Sequence, residues 1–147
     1  MPDKQVSRIG FGGARLGSVS NPLSMRDCAR LLDVAIEIGI TVFDTANIYG
    51  QGDSERLIGR AVARDRDRFI LATKAGQRFS RKMRILRPFK PLIRLLPRGS
   101  TATQGAIKAQ RRRNVGPAFH PGTIEPDLEA SLRRLRTDHV DLFLLHS

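Results

Sequence analysis

Apolar and polar residues follow two different periods along this chain, and the two periods predict strands and helices in turn. Four short apolar runs fit β-strands: 6–11, 41–44, 69–74 and 140–146. Three longer stretches repeat apolar residues every three or four positions and fit amphipathic helices: 24–38, 54–63 and 123–136. Strands that alternate with helices are typical of βαβ units, which build a parallel sheet. We therefore predict an α/β fold with four parallel strands.

The helix starts are marked by residues that cap helices well. Ser24 precedes the first helical stretch and is predicted as its N-cap. Asp53 or Ser54 is predicted to cap the second helix, and Pro126 suits the first turn of the third.

Length and composition bound the class of protein. A chain of 147 residues with 40% apolar residues supports one globular domain. Its one cysteine, Cys28, excludes an internal disulfide and fits a reducing compartment, and its place in a helix indicates a small buried side chain. The sequence shows neither a signal peptide nor an apolar run that could insert into a membrane, so we expect a cytoplasmic protein.

The net charge of +12 comes from one segment of the chain. Residues 77–122 hold 12 of the 26 Lys and Arg residues and none of the 14 Asp and Glu residues, so the rest of the chain is neutral. Five of the eight prolines also lie there. We expect a long basic loop, either a solvated insertion or a lid over a site for anionic groups.

Four residues able to handle protons lie at or just after the ends of predicted strands: Asp44, Tyr49, Lys74 and His146. Asp44, Lys74 and His146 share the strand faces of Val42, Ala72 and Leu144, so they converge if those faces point to one interior. In parallel α/β folds that end of the sheet carries the chemistry. Each residue alone has a simpler interpretation as a turn acid, a loop aromatic, a solvated lysine or a terminal histidine.

Six segments in order resemble the aldo/keto reductases: Gly-Phe-Gly-Gly-Ala-Arg-Leu-Gly (10–17), Phe-Asp-Thr-Ala-Asn-Ile-Tyr-Gly (43–50), Asp-Ser-Glu (53–55), Ala-Thr-Lys (72–74), Leu-Glu-Ala-Ser-Leu-Arg-Arg-Leu (128–135) and Asp-Leu-Phe-Leu-Leu-His (141–146). The resemblance covers most of residues 1–147 outside the basic loop. It implies the first half of a (β/α)8 TIM barrel that binds NADPH or NADH, without a metal, and interconverts carbonyl compounds and alcohols.

The same resemblance assigns a role to each polar strand-end residue. It makes Tyr49 the proton donor to the carbonyl oxygen, Lys74 the cation that assists it, and Asp44 the partner of Lys74. It makes His146 the hydrogen-bond donor that positions the substrate oxygen. It also implies that Gly13, Ala14 and Arg15, together with Asp44, lie near the nicotinamide. The expected partner is a small carbonyl or alcohol substrate.

Two other functions compete with this interpretation. A Rossmann dinucleotide domain would explain Gly10 and Gly12, but Arg15 stands where its third glycine is needed. A non-enzymatic interaction module would use the 77–122 loop and its cluster 111–113 to bind nucleic acid or an anionic surface. No interleaved aromatic residues support nucleic-acid binding.

The number of strands adds one expectation about assembly. A barrel of eight strands needs about 250 residues, whereas this chain provides four strands. The fourth strand would present an open apolar edge, through which two copies could associate.

Overall fold

Four parallel strands form the main sheet of the chain: β1 (Gly10–Gly12), β2 (Val42–Asp44), β3 (Ile70–Ala75) and β6 (Leu142–Leu145). The computed structural model describes residues 4–18, 21–79 and 115–146. The order is β1-β2-β3-β6, and every neighbouring pair is parallel. The predicted parallel α/β sheet is confirmed. In a Rossmann sheet the fourth strand pairs with the first, whereas β6 here pairs with β3, so the Rossmann alternative is wrong.

Within the described ranges, three α-helices accompany the sheet: α1 (Met25–Glu37), α2 (Asp53–Val62) and α3 (Pro121–Leu135). The prediction of Ser24 as the N-cap of α1 is confirmed, because its hydroxyl accepts a hydrogen bond from the N–H of Asp27 and the Asp27 carboxylate accepts one in return. Hydrogen bonds that the Asp27 carboxylate accepts from the Ser24 hydroxyl and from the Ser24 N–H lower the pKa of Asp27. None of the helices in the described ranges is long and apolar enough to cross a membrane.

The predicted cap of α2 is wrong. Gly52, with a φ of 86°, is the N-cap, and neither Asp53 nor Ser54 caps the helix. Ser54 instead directs its hydroxyl to the carbonyl oxygen of Gly13, 41 residues earlier in the chain. Asp53 pairs with Arg56 on the helix surface. A long-range contact has therefore replaced a local one.

The core lies between the helices and one face of the sheet. Its largest fully buried side chains are Phe43 of β2, Leu71 of β3, Leu32 of α1, Ile58 of α2 and Leu135 of α3. Cys28 is buried among them, as its helical position indicated. The opposite face of the sheet is open at β6, where Leu142 and Leu144 are 50% and 43% exposed.

The predicted first strand, 6–11, begins too early. Only Gly10–Gly12 pairs as a strand, and Val6 and Ile9 are exposed. Ser7 instead exchanges hydrogen bonds with Thr41: the N–H of each residue donates to the other's hydroxyl, at 2.8 and 3.0 Å. This segment fastens the chain start beside β2 through side chains rather than through a strand ladder.

The 77–122 segment is not a loop throughout. Its first residues form β4 (Gln77–Phe79), which pairs antiparallel with β5 (Val115–Pro117), and α3 begins within it at Pro121. The Nε–H of Arg78 in β4 donates to both carboxylate oxygens of Asp127 in α3, and this contact raises the pKa of Arg78. The cluster 111–113 and the rest of 80–114 lie outside the described residues.

Asp141 organises the end of the sheet opposite to the predicted site. Its carboxylate pairs with Lys4 at 2.6 Å and with Arg66 at 2.8 Å, and it accepts a hydrogen bond from the N–H of Leu71 at 2.9 Å. Lys4 and Arg66 also both donate to the carbonyl oxygen of Phe69. This network joins the first described residues to β3 and β6. The sequence prediction of a strand over 140–146 did not identify it.

Candidate active site

Asp44 and Lys74 form an ion pair at the carboxyl ends of β2 and β3. The Lys74 ammonium also donates a hydrogen bond of 3.0 Å to the carbonyl oxygen of Thr45. The Lys74 side chain is 15% exposed and that of Asp44 is 44% exposed. The carboxylate and the carbonyl therefore stabilise a positive charge that is mostly withdrawn from solvent.

Tyr49 lies beside this pair. The Lys74 Nζ atom is 5.4 Å from the centre of the Tyr49 ring. His146 packs edge to face with the same ring, with 5.5 Å between the ring centres and planes at 90°. The N–H of His146 donates to the carbonyl oxygen of Ala75 at 2.7 Å, which fixes the backbone just beyond β6 against β3. The structure thus brings together all four polar residues that the sequence singled out.

The strand register explains this convergence. Asp44 of β2 lies opposite Ala72 of β3, and Lys74 is two positions beyond Ala72 in the same strand. Lys74 in turn lies opposite Leu144 of β6. A step of two residues keeps the side chains on one face of the sheet. His146, two positions beyond Leu144, continues the same step.

The loop that carries Tyr49 has an unusual backbone. Gly50, Gln51 and Gly52 follow it in the left-handed region, with φ values of 56°, 60° and 86°. A Cβ atom on Gly50 would overlap the carbonyl oxygen of Leu16, so the loop lies directly against the turn after β1. Only glycine fits there. This contact holds Tyr49 close to the turn that was predicted to face the nicotinamide.

That turn, Gly13-Ala14-Arg15, follows β1 directly. The N–H of Gly13 donates to the carbonyl oxygen of Asp44 at 2.7 Å, and the carbonyl oxygen of Arg15 accepts from the side chain of Asn21 at 3.0 Å. Gly13 is buried, whereas Ala14 and Arg15 are exposed. The turn is therefore fixed at its base and accessible at its tip.

Ser54 connects the turn to the strand that carries Asp44. Its hydroxyl donates to the carbonyl oxygen of Gly13 at 2.9 Å and lies 2.8 Å from the hydroxyl of Thr45. Ser54 and Thr45 are completely buried. Sequence reasoning gave Ser54 no role beyond a possible cap, although its place in the Asp-Ser-Glu segment was the available signal.

Glu55 is a second residue that sequence reasoning did not place. Its carboxylate is completely buried and accepts hydrogen bonds from the Thr73 hydroxyl at 2.8 Å and from Arg134 of α3. Thr73 immediately precedes Lys74. A buried carboxylate with a charged partner thus links α2, α3 and the end of β3.

A polar cleft of about 310 Å³ adjoins the same loop, between β4 and α3. The side-chain oxygens of Asn47 and Gln51 are buried there and have no hydrogen-bond partner among the described residues. In the same ranges, no three His, Cys, Asp or Glu side chains come together in a way that could hold a metal ion.

Comparison with known proteins agrees with this arrangement. A model of the aldo/keto reductase family matches residues 8–147. A D-threo-aldose 1-dehydrogenase from a Pseudomonas species is 33% identical; the match covers 96% of this chain and 40% of that protein.

Solved structures show the same likeness. An aldo-keto reductase from Bacillus halodurans in its holo form matches with a TM-score of 0.67 at 30% identity, over 96% of this chain and 36% of that one. An aldo-keto reductase from Klebsiella pneumoniae in complex with NADPH matches with a TM-score of 0.54 at 25% identity, over 96% and 35%. The chain thus spans between about a third and two fifths of these proteins, and its sheet and helices form part of a (β/α)8 barrel.

Proposed function

The chain belongs to the aldo/keto reductase family, and on that premise we propose that it supplies the catalytic part of an NADPH-dependent oxidoreductase. The reaction interconverts small aldehydes or ketones and the corresponding alcohols. Residues 1–147 make one partial barrel, which works in the cytoplasm; the single buried cysteine fits a reducing compartment.

One observation supports the proposal above the others: the Lys74 ammonium and the His146 ring both lie against the Tyr49 ring, at 5.4 and 5.5 Å from its centre. In the proposed reduction, the Tyr49 hydroxyl gives its proton to the carbonyl oxygen of the substrate. A free tyrosine loses its proton only near pH 10, so a nearby cation is needed to stabilise the phenolate that remains. Lys74 provides that cation, and Asp44 keeps it in place.

His146 has a different role in this proposal. Its side chain donates a hydrogen bond to the substrate oxygen, which places that oxygen at the Tyr49 hydroxyl and stabilises negative charge on it. The edge-to-face contact between the two rings fixes their relative orientation.

The residues present fit the nicotinamide end of the cofactor. Gly13 is buried and tied to Asp44, while Ala14, whose side chain is small, lies exposed beside it. A flat ring can approach such a turn closely. NADPH, when bound, supplies the hydride to the carbonyl carbon. The Gly13–Arg15 backbone and Asp44 would hold its nicotinamide, and we infer that NADPH is used because the Klebsiella pneumoniae relative was solved with it.

The chain matches only part of the length of its relatives, and this bears on the activity of the isolated chain. Because it covers 36% to 40% of their length, we expect the isolated 147-residue protein to oxidise NADPH slowly or not at all with a panel of small aldehydes and aldoses. Substantial carbonyl-dependent oxidation that disappears in Tyr49→Phe would overturn this expectation while supporting the assigned chemistry.

A chimera tests the chemistry itself. Residues 8–147 would replace the matching part of the Bacillus halodurans reductase, and NADPH oxidation would be followed with the same aldehydes. We expect activity in the chimera and a loss of at least a hundredfold in kcat for Tyr49→Phe, since general acid catalysis contributes roughly 10²- to 10⁴-fold.

Two controls make the chimera decisive. Phe79→Tyr moves a phenol to β4 and should not restore activity to the Tyr49→Phe chimera. NADPH binding, measured by titration, should be the same with tyrosine or phenylalanine at position 49. A folded chimera that binds NADPH and remains fully active without the Tyr49 hydroxyl would show that Tyr49 is not the proton donor.

A further inference from the structure

Five arginines line one concave region on the outer surface of the barrel part, where α2 lies beside α3. Arg56 and Arg60 come from α2, Arg133 and Arg134 from α3, and Arg136 is the C-cap of α3. The other described residue that lines this region is Ala130. No Asp or Glu is among the described lining residues. The region has a volume of about 380 Å³, at the lower end of the range for ligand pockets.

The sequence gathers these arginines in two steps. Arg56 and Arg60 are four residues apart and therefore share one face of α2. Gly59 then allows α3 to approach: a Cβ atom at this position would overlap the backbone of Leu135. The close helix contact brings the arginines of the last turn of α3 alongside those of α2.

Three of the five guanidinium groups have carboxylate partners among the described residues, and Arg56 is one of them, paired with Asp53 at 3.5 Å. Arg134 is 19% exposed and pairs with the buried carboxylate of Glu55, and it also donates to the Ser131 hydroxyl at 3.0 Å. Arg133 has a loose surface pair with Glu129 at 3.5 Å, with both side chains more than half exposed. Such exposed pairs contribute little.

Arg60 and Arg136 remain available. Both are exposed, and neither has a hydrogen-bond or ion-pair partner among the described residues. Like charges that lie close together repel one another. The arrangement therefore favours the arrival of an anion.

The backbone of Arg136 is a second, independent observation. Its φ is 58°, in the left-handed region, and it is one of two non-glycine residues with a positive φ in the described ranges. Glycine is the usual residue at such a helix end, and another residue costs about 1 kcal/mol or more. Cations in the last turn of a helix are favoured by its dipole, which explains Arg133 but not a strained arginine beyond the helix.

We propose that this arginine-lined concavity binds a small molecule that carries phosphate groups. The planar fork of a guanidinium group matches two phosphate oxygens at once, and several forks that converge on one hollow can hold one phosphate from different sides. The site uses only α2 and α3. It is separate from Asp44, Tyr49, Lys74 and His146, which act on the opposite face of the sheet.

Calorimetric titration of the full chain tests the proposal with inorganic phosphate, pyrophosphate and glucose 6-phosphate, at constant ionic strength set with sodium chloride. We expect saturable binding of one equivalent, and the strongest of the three probes shows whether a free or an organic phosphate is preferred. The double variant Arg60→Gln/Arg136→Gln should weaken binding at least tenfold. The control Arg26→Gln/Arg30→Gln, which removes two exposed arginines from α1, should change it less than twofold.

A further variant separates binding from stability. Arg136→Gly relieves the left-handed strain, so it should raise the unfolding midpoint while it weakens phosphate binding. The proposal is wrong if binding is equal in the α1 control and in the α2/α3 double variant, because the basic 77–122 segment would then be the binder. Binding of heparin without binding of any of the three phosphate probes would also overturn it.

Discussion

Replacement of Asp141 by asparagine should make the protein less stable near neutral pH and less sensitive to acid between pH 4 and pH 2. Asp141 pairs with Lys4 and Arg66, and all three side chains are 12% to 13% exposed. The asparagine side chain could still accept a hydrogen bond from the N–H of Leu71, but both cations would lose their carboxylate.

The magnitude follows from the pKa of Asp141. Burial raises it, but the hydrogen bonds from the Leu71 N–H, Lys4 and Arg66 lower it by more, to about 2 from an ordinary value of 3.8. At 1.36 kcal/mol per pKa unit, the carboxylate contributes about 2 kcal/mol to the free energy of unfolding. Because the folded-state pKa is the lower one, this contribution is complete above pH 3.8 and is lost as the pH falls toward 2.

Urea unfolding at pH 7, 4, 3 and 2.5 provides the measurement. Circular dichroism follows the helices, and fluorescence follows Tyr49, since the chain has one tyrosine and no tryptophan. We expect Asp141→Asn to lower the free energy of unfolding by about 2 kcal/mol at pH 7. The difference from the unsubstituted protein should shrink steadily below pH 4.

A nearby aspartate serves as the control. Asp138 also has a lowered pKa, because of its hydrogen bond with His139, but its side chain is 94% exposed. Asp138→Asn should therefore leave the acid profile almost unchanged. If Asp141→Asn keeps the full loss of stability between pH 4 and pH 2, the network around Asp141 does not carry that loss and the reasoning fails.

Three further predictions concern packing, buried polar contacts and assembly. Gly59→Ala should destabilise the chain despite the better helix propensity of alanine, because the new methyl group overlaps the backbone of Leu135. The control Gly116→Ala places a methyl group in open space and should change the unfolding midpoint little. Equal midpoints for the two variants would contradict this packing. Ser54→Ala should cost about 1–3 kcal/mol in urea unfolding, because it leaves the Gly13 carbonyl oxygen without a donor and the buried Thr45 hydroxyl without an acceptor; a neutral result would exclude that role. Copies should associate through the exposed apolar β6 edge in sedimentation, and Leu145→Lys should restore the monomer; a monomer before substitution would count against association.

Much of the fold could be predicted from the sequence because burial repeats with a regular period. The apolar stripe of α1 contains Cys28, Leu32 and Ala35, and all three are buried. The third predicted strand is apolar on both faces, which is typical of an inner strand of a parallel sheet. The observed β3 has neighbours on both edges, β2 and β6, and most of its residues are buried. The positions of Asp44 and Lys74 followed from strand ends alone.

The errors arise where distant residues decide the local structure. Val6 and Ile9 have high β-propensity but are exposed, because the segment there is held by the side chains of Ser7 and Thr41. Lys4 and Asp141 meet across 137 positions. No local pattern reports such a contact.

The sequence predicted the polar residues of the site but not the buried residues that support them. Strand ends and a family resemblance identified Asp44, Tyr49, Lys74 and His146, which the structure brings together. The buried supports, Ser54 and Glu55, lie on a helix whose surface pattern looks ordinary. Their partners belong to other elements, so the Asp-Ser-Glu segment marks these residues in the sequence but does not show what they contact.

The Glu55–Thr73 hydrogen bond has a consequence for how β3 finds its place. A parallel ladder looks nearly the same after a shift of one residue, yet such a shift would put Thr73 or Ala75 where Lys74 must be. Thr73 points away from the site, toward Glu55 and Arg134. After a shift, the buried carboxylate would lose its hydroxyl donor. Glu55 therefore favours the correct register of β3, through a contact on the face of the sheet opposite to the polar residues of the site.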